Sequence, residues 1–157
     1  MSGESLIDIW GDRIPHYNPE VRESLATKIA QNAATQVDKP VIYLGAGTCG
    51  LGAGAGKTLT AIREYLAAKS IDAEIIETGC IGLCAVEPML DVQLPGKARV
   101  CYKNIISGKV EGVLDGAFAD APVEADVFGQ FRQEGRANYD ALPFMDEHPF
   151  FAPQTRW

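Results

Sequence analysis

Two cysteines separated by three residues are the side chains of this sequence best suited to chemistry. Cys80 and Cys84 lie in a glycine-punctuated stretch that follows an apolar, strand-like run. Thiols at this spacing in a loop can direct their sulfurs at one soft metal centre. A further thiol, Cys49, lies in another glycine-rich turn after an earlier strand-like run. The pattern indicates an electron-transfer or redox domain.

Composition and charge restrict the classes of function. The 157 residues suffice for one domain of ordinary size, and 46% apolar with 22% charged residues are typical of a globular protein. A net charge of -7 argues against a nucleic-acid-binding surface or an anionic membrane surface. No apolar run approaches the roughly 20 residues that span a bilayer, and the first residues lack the features of a signal peptide. Four cysteines without such a signal favour metal or redox chemistry in a reducing compartment, so we expect a cytoplasmic protein.

The hydrophobic pattern predicts the elements that must position the thiols. Four short runs have the pattern of strands, at residues 40–44, 73–77, 89–94 and 98–103. A helical pattern around Ile62 joins the first two runs, and the Pro95-Gly96 turn joins the last two. A final helix begins near Ser107. This βαβ and ββα order predicts an α/β, thioredoxin-like mixed sheet with flanking helices.

Both ends of the chain differ in composition from its middle. A capping residue, a proline and an acid near residue 19 predict a helix over about residues 19–35, within an N-terminal helical extension of residues 1–37. The thioredoxin-like domain is then expected over residues 38–118. Residues 119–157 combine prolines and aromatic residues without periodicity, which predicts an irregular linker or docking tail. Such a segment either covers the core of its own domain or gains order from a partner.

The thiol-bearing segments resemble a known family. Residues 44–55, 77–88 and 95–104 look like the thioredoxin-like [2Fe-2S] ferredoxin domain at the N-terminus of NADH-binding flavoprotein subunits. Such subunits occur in bacterial NADH dehydrogenases and NAD-linked, electron-bifurcating hydrogenases, and are similar to the flavoprotein subunit of complex I. The resemblance implies a [2Fe-2S] cluster that transfers electrons within a multisubunit oxidoreductase. It also implies that FMN and NADH bind to a downstream flavin domain, so this chain alone holds no complete catalytic site.

The resemblance assigns one pair of ligands directly. The family holds its cluster with four thiolates, two after the first strand and two in the second loop. Cys80 and Cys84 match the second pair. Gly79 and Gly82 beside them permit a close approach of backbone amides to the sulfurs, and we expect both glycines to contact the cluster.

The first pair of the family pattern is incomplete here. Cys49 matches the neighbourhood of one of its members, whereas no thiol stands near Leu44 or Gly45, where the other would lie. Cys101 is better explained as a small, buried strand residue than as the missing ligand. The fourth ligand is therefore unidentified, and a zinc site would lack one protein ligand in the same way.

Other interpretations of the sequence stay open. The domain would serve as a docking module of the same kind of complex if it kept the fold without the cluster, and the thiols would be packing residues if their spacing were chance. A small dinucleotide-binding domain is a further alternative, because residues 45–50 satisfy the G-x-G-x-x-G pattern and Glu77 ends the next strand. Glu87 and Asp91 are expected to be solvated charges at a strand edge. The expected partners are a flavin- and NADH-binding domain and other subunits, without nucleic acid or membrane insertion.

Overall fold

A five-stranded mixed sheet forms the centre of the structure, a computed structural model that describes residues 37–133 and 135–154. The strands are β1 (Val41–Gly45), β2 (Glu74–Thr78), β3 (Leu90–Gln93), β4 (Val100–Tyr102) and β5 (Val127–Gln130). Their order across the sheet is β2-β1-β3-β4-β5. Only the β1–β2 pair is parallel among these strands, and it therefore needs a crossover helix, whereas β3 and β4 need only a turn.

Three helices accompany the sheet in the described residues. They are α1 (Thr48–Ala53), α2 (Ala55–Lys69) and α3 (Val110–Phe118). The short helix α1 ends at Gly54, whose φ of 107° lies in the left-handed region that glycine adopts without strain. Gly54 is also the residue before α2, so the chain changes direction there and α2 crosses back to β2.

One face of the sheet packs against α2 and α3 and forms the main core. Side chains alternate between the two faces of a strand, so Ile42 and Leu44 point together toward the helices. Apolar side chains of the helices pack against this face, among them Ile62, Leu66, Val113 and Leu114. Burial of this apolar surface supplies the main stabilisation of the fold.

The other face of the sheet carries polar residues and is covered by the C-terminal segment. In the register of the strands, Tyr43 lies opposite Asp91, and Asp91 lies opposite Cys101. Met145 and Phe151 pack over this face in a second cluster that contains Cys101. The C-terminal aromatic segment therefore covers the sheet of its own domain.

The predicted α/β, thioredoxin-like order is confirmed, and its strand bounds differ by one or two residues from those expected. The helix predicted over residues 19–35 lies outside the described residues. Two elements were not predicted, the helix α1 and the strand β5. Two of the six residues of α1 are glycine, and β5 has only four residues without strict alternation, so neither has a clear pattern. Within the described part of the chain, no helix has the length and apolarity needed to cross a membrane.

Candidate metal centre

The turn after β1 is built by close backbone approach. The Gly45 amide donates to the Met89 carbonyl at 2.9 Å, and the Ala46 amide donates to the Thr78 carbonyl at 2.9 Å. A side chain at Gly50 would collide with the carbonyl oxygen of Gly45. A Cβ at Gly47 would lie 3.0 Å from the Cys80 amide nitrogen. Glycine at these positions therefore lets the turn lie directly against both β3 and the second thiol loop.

The loop after β2 folds around its own thiols. Gly82 has a φ of 92°, which turns the chain and points its amide at the preceding thiol. That amide donates to Cys80 Sγ at 3.3 Å. Cys84 then begins a short 3-10 turn, Cys84–Val86, and the Glu87–Pro88 peptide bond that follows is cis. Both thiols of this loop are exposed.

Three thiols from the two loops converge. The sulfur atoms of Cys49, Cys80 and Cys84 all lie within 4.8 Å of one another, and those of Cys80 and Cys84 are 3.5 Å apart. Cys49 is half-buried, whereas its two partners are exposed. The structure thus brings together all three cysteines predicted as ligands.

The pKa values of Cys49 and Cys80 are shifted in opposite directions. A hydrogen bond from Cys49 toward Cys80 raises the pKa of the Cys49 thiol to about 11. The same hydrogen bond lowers the pKa of Cys80, with help from the Gly82 amide. A metal centre binds thiolates, so binding here would displace the proton that Cys49 retains.

The donor set fits a thiolate-bound iron centre. A tetrahedral ion with metal–sulfur bonds of about 2.3 Å holds its sulfurs roughly 3.8 Å apart, which is close to the 3.5 Å between Cys80 and Cys84. Thiolates select iron–sulfur clusters and zinc over hard cations. The three thiols provide three of the four protein ligands that either centre requires.

Two acids near the site are not the solvated strand-edge charges that the sequence led us to expect. Glu87 is 7% exposed, and its Oε2 accepts a hydrogen bond of 2.8 Å from the Met89 amide. The Asp91 side chain is 15% exposed, with Oδ2 at 3.4 Å from Nε of Arg99. Burial raises the pKa of Asp91 even though Arg99 opposes this effect. The expectation was wrong because the C-terminal segment covers a sheet face that the strand pattern alone leaves open.

Cys101 lies apart from the thiol triad. It is fully buried on the second face of the sheet, and burial raises the pKa of its thiol. Its Sγ lies 3.9 Å from the carbonyl oxygen of Tyr102. The position agrees with the packing role predicted for this residue.

The residues that suggested a dinucleotide site have other roles in the structure. Gly45 and Gly50 pack against each other, and Glu77 lies 4.0 Å from the guanidinium of Arg63. The sheet has one parallel pair followed by antiparallel strands, which is not the doubly wound sheet of a dinucleotide fold. The geometry therefore offers no support for the dinucleotide alternative.

Comparison with known proteins places the fold. No protein-family model matches the chain. A thioredoxin-like [2Fe-2S] ferredoxin from Aquifex aeolicus matches with a TM-score of 0.52 and 17% identity, over 64% of this chain and 100% of that one. This chain has a thioredoxin-like fold. The crystal structure of the wild-type Aquifex protein at 1.5 Å matches the thioredoxin-like domain with a TM-score of 0.50 and 17% identity, over 59% of this chain and 98% of that one.

A relative in sequence comes from a redox complex. The NADP-reducing hydrogenase subunit HndB of Solidesulfovibrio fructosivorans is 27% identical over 105 residues, which are 66% of this chain and 79% of that protein. The suspected resemblance is thereby supported from two sides, in sequence by a hydrogenase subunit and in fold by a thioredoxin-like [2Fe-2S] ferredoxin.

Proposed function

We propose that this thioredoxin-like domain binds a [2Fe-2S] cluster and transfers electrons within a multisubunit, nicotinamide-linked oxidoreductase. The observation that carries this proposal is the convergence of Cys49, Cys80 and Cys84 to within 4.8 Å. These thiols come from two loops more than 30 residues apart in sequence, and the fold brings the loops together. The fold of the domain that carries these loops is similar to that of the thioredoxin-like [2Fe-2S] ferredoxin from Aquifex aeolicus.

The protein's own residues would bind the cluster and adjust its potential. The cluster, when bound, supplies a one-electron carrier. The three thiols hold it, and the Gly82 amide donates a hydrogen bond to Cys80 Sγ, a contact of the kind that raises a cluster's reduction potential. Cys80 and Cys84 are exposed, so the carrier would lie at the surface, where a redox partner can approach.

The relative HndB supports a place in a larger assembly, because it is a subunit of an NADP-reducing hydrogenase. We propose that the direct partner is a flavin domain that binds FMN and NADH or NADPH, and that the complex lies in the cytoplasm. Residues 1–37 would be an extension that flanks the domain in such an assembly, whereas the predicted tail of residues 119–157 contributes a strand and a cover to the domain itself. The fold itself continues past residue 118, because β5 belongs to the sheet.

The proposal is tested by pairing a ligand variant with a buried-thiol variant. Cys84→Ser should abolish the visible absorption and the S = 1/2 EPR signal of dithionite-reduced protein after anaerobic iron–sulfide reconstitution. Cys101→Ser is the matched control, since its thiol is buried away from the triad, and it should retain both signals. Wild-type protein that stays colourless after reconstitution would instead favour the cluster-free docking module.

A further inference from the structure

The place where the missing fourth ligand would stand is occupied by a carboxylate. Gly45 ends β1, next to the position at which the resemblance calls for a thiol. A Cβ built on Gly45 would lie 2.5 Å from Glu87 Oε2 and 3.1 Å from Glu87 Oε1. Any side chain at position 45 would therefore overlap the Glu87 carboxylate. Glycine at 45 and glutamate at 87 are complementary.

The Glu87 carboxylate is held in place but is not neutralised. Glu87 is only 7% exposed, and the Met89 amide donates a hydrogen bond to its Oε2 at 2.8 Å. Among the described residues, no lysine, arginine or histidine forms an ion pair with it. A buried carboxylate is costly unless a cation or several hydrogen bonds compensate its charge. Glu87 does not belong to the group of three thiols that lie within 4.8 Å of one another, so a binuclear cluster that spans the triad and this carboxylate, rather than one ion at the triad, would provide that compensation.

Open space joins this carboxylate to the second thiol loop. Glu87 lines a cavity of about 380 Å³ together with Gly45, Gly79 and Ile81. The cavity wall next to the thiol loop thus consists of small or exposed residues.

We propose that Glu87 is the fourth protein ligand of the centre, beside Cys49, Cys80 and Cys84. This inference rests on the proposed cluster-binding function. A carboxylate oxygen is a harder donor than thiolate, and it gives less electron density to iron. Histidine in Rieske centres raises the potential partly by removing negative charge, whereas a carboxylate keeps that charge, so only its weaker electron donation would raise the potential here. A cluster with three thiolates and Glu87 would accordingly have a higher potential than one with four thiolates in the same fold.

Two charge-neutralising variants test the ligand role. Glu87→Gln keeps the size and the Met89 contact but removes the anionic donor. We expect it to lose iron to a chelator at least about tenfold faster than wild-type protein, since even partners outside the ligand sphere change metal affinity by about 10–100-fold. Glu77→Gln is the control, because Glu77 is exposed beside the same loop and loses the same charge. Equal rates for the two variants would overturn the proposal.

A thiolate at position 87 gives a second, independent readout. Glu87→Cys should bind a cluster whose midpoint potential is more negative than that of the wild-type cluster, with visible bands characteristic of four thiolates. Unchanged potential and spectrum would overturn the proposal.

Mössbauer spectroscopy of wild-type protein enriched in ⁵⁷Fe tests the same ligand without a variant that could fail to fold. Two unequal ferric Mössbauer doublets are expected, and a single doublet would overturn the ligand assignment. Wild-type protein that binds no cluster would overturn the proposed function as well. A wild-type cluster whose iron loss, potential and spectra do not depend on Glu87 would overturn only the assignment of Glu87 as a ligand.

Discussion

The two halves of the candidate centre are built in different ways. The loop after β2 supplies Cys80 and Cys84 within a single turn, both exposed and held by a local amide contact. The turn after β1 supplies only Cys49, and a carboxylate from a later segment, Glu87, fills the place beside Gly45. One half is therefore encoded by local spacing, and the other is completed by a tertiary contact.

The halves also differ in how tightly they pack. Gly50 in the first half has the Gly45 carbonyl against it and no room for a side chain. Gly79 in the second half has no neighbouring atom within 4 Å of the Cβ that a larger residue would add. We infer that the first half is the rigid part of the site and that the second half adapts to what it binds.

Removal of the single thiol of the first half should have the largest effect. Cys49→Ala leaves the pair Cys80 and Cys84, which cannot hold a binuclear centre alone. We expect iron and sulfide to be lost from the purified protein while the far-ultraviolet circular dichroism is unchanged. A variant that retains the full wild-type iron content would show that Cys49 is not a ligand.

The rigidity of the first half is tested by two alanines in the same helix. Gly50→Ala forces a methyl group onto the Gly45 carbonyl, and such overpacking costs about 1–3 kcal/mol in the free energy of unfolding. Gly52→Ala meets no atom within 4 Å and should stabilise the protein by about 0.5–1 kcal/mol through helix propensity. Urea unfolding measures both values. Equal stabilities of the two variants would contradict the tight packing described for this turn.

A smaller effect is expected from the matched pair in the second half. Gly82→Ala places a side chain at a φ of 92°, a strain of about 1–2 kcal/mol that would also move the amide away from Cys80 Sγ. Gly79→Ala meets no such restriction and should change the unfolding free energy by less than about 0.5 kcal/mol. A midpoint potential lowered only in Gly82→Ala would identify the amide contact as a control on the cluster. The same potential in both variants would remove that role.

The smallest effect should come from a charge remote from both halves. Lys97 Nζ and Tyr139 Oη donate to Asp120 at 2.6 and 2.9 Å, and these bonds, that of Lys97 above all, lower the pKa of Asp120. The resulting stability is present above the unfolded pKa of about 3.9 and is lost as the pH falls through the folded value. Asp120→Asn should thus be less stable near neutral pH by under about 1 kcal/mol, and equally stable in acid. A deficit that persists in acid would point to lost packing instead.

The sequence was sufficient for the parts of the fold and the site that depend on local pattern. The hairpin of β3 and β4 follows from two apolar runs around Pro95-Gly96, and the pair Cys80 and Cys84 follows from its spacing in a glycine-rich loop. Cys49 required the family resemblance as well, because one thiol in a turn has no spacing of its own. These predictions concern contacts among neighbours in sequence, for which periodicity and turn chemistry are informative.

The parts that sequence missed depend on contacts between distant segments. Nothing in the sequence around Glu87 marks it as buried, since its carboxylate lies against the distant glycines at positions 45 and 50. The strand β5 pairs only with β4 and lies in a segment without alternation. The absence of a thiol at position 45 was visible in the sequence, and it was the one signal that pointed to an unusual ligand.

The most direct test of the central claim is the content of iron and acid-labile sulfide in wild-type protein purified without oxygen. We predict about two irons and two sulfides per chain, the stoichiometry of a [2Fe-2S] cluster, with an S = 1/2 EPR signal after reduction by dithionite. Zinc without sulfide, or a colourless protein that resists anaerobic reconstitution, would contradict the account and leave the domain as a docking module.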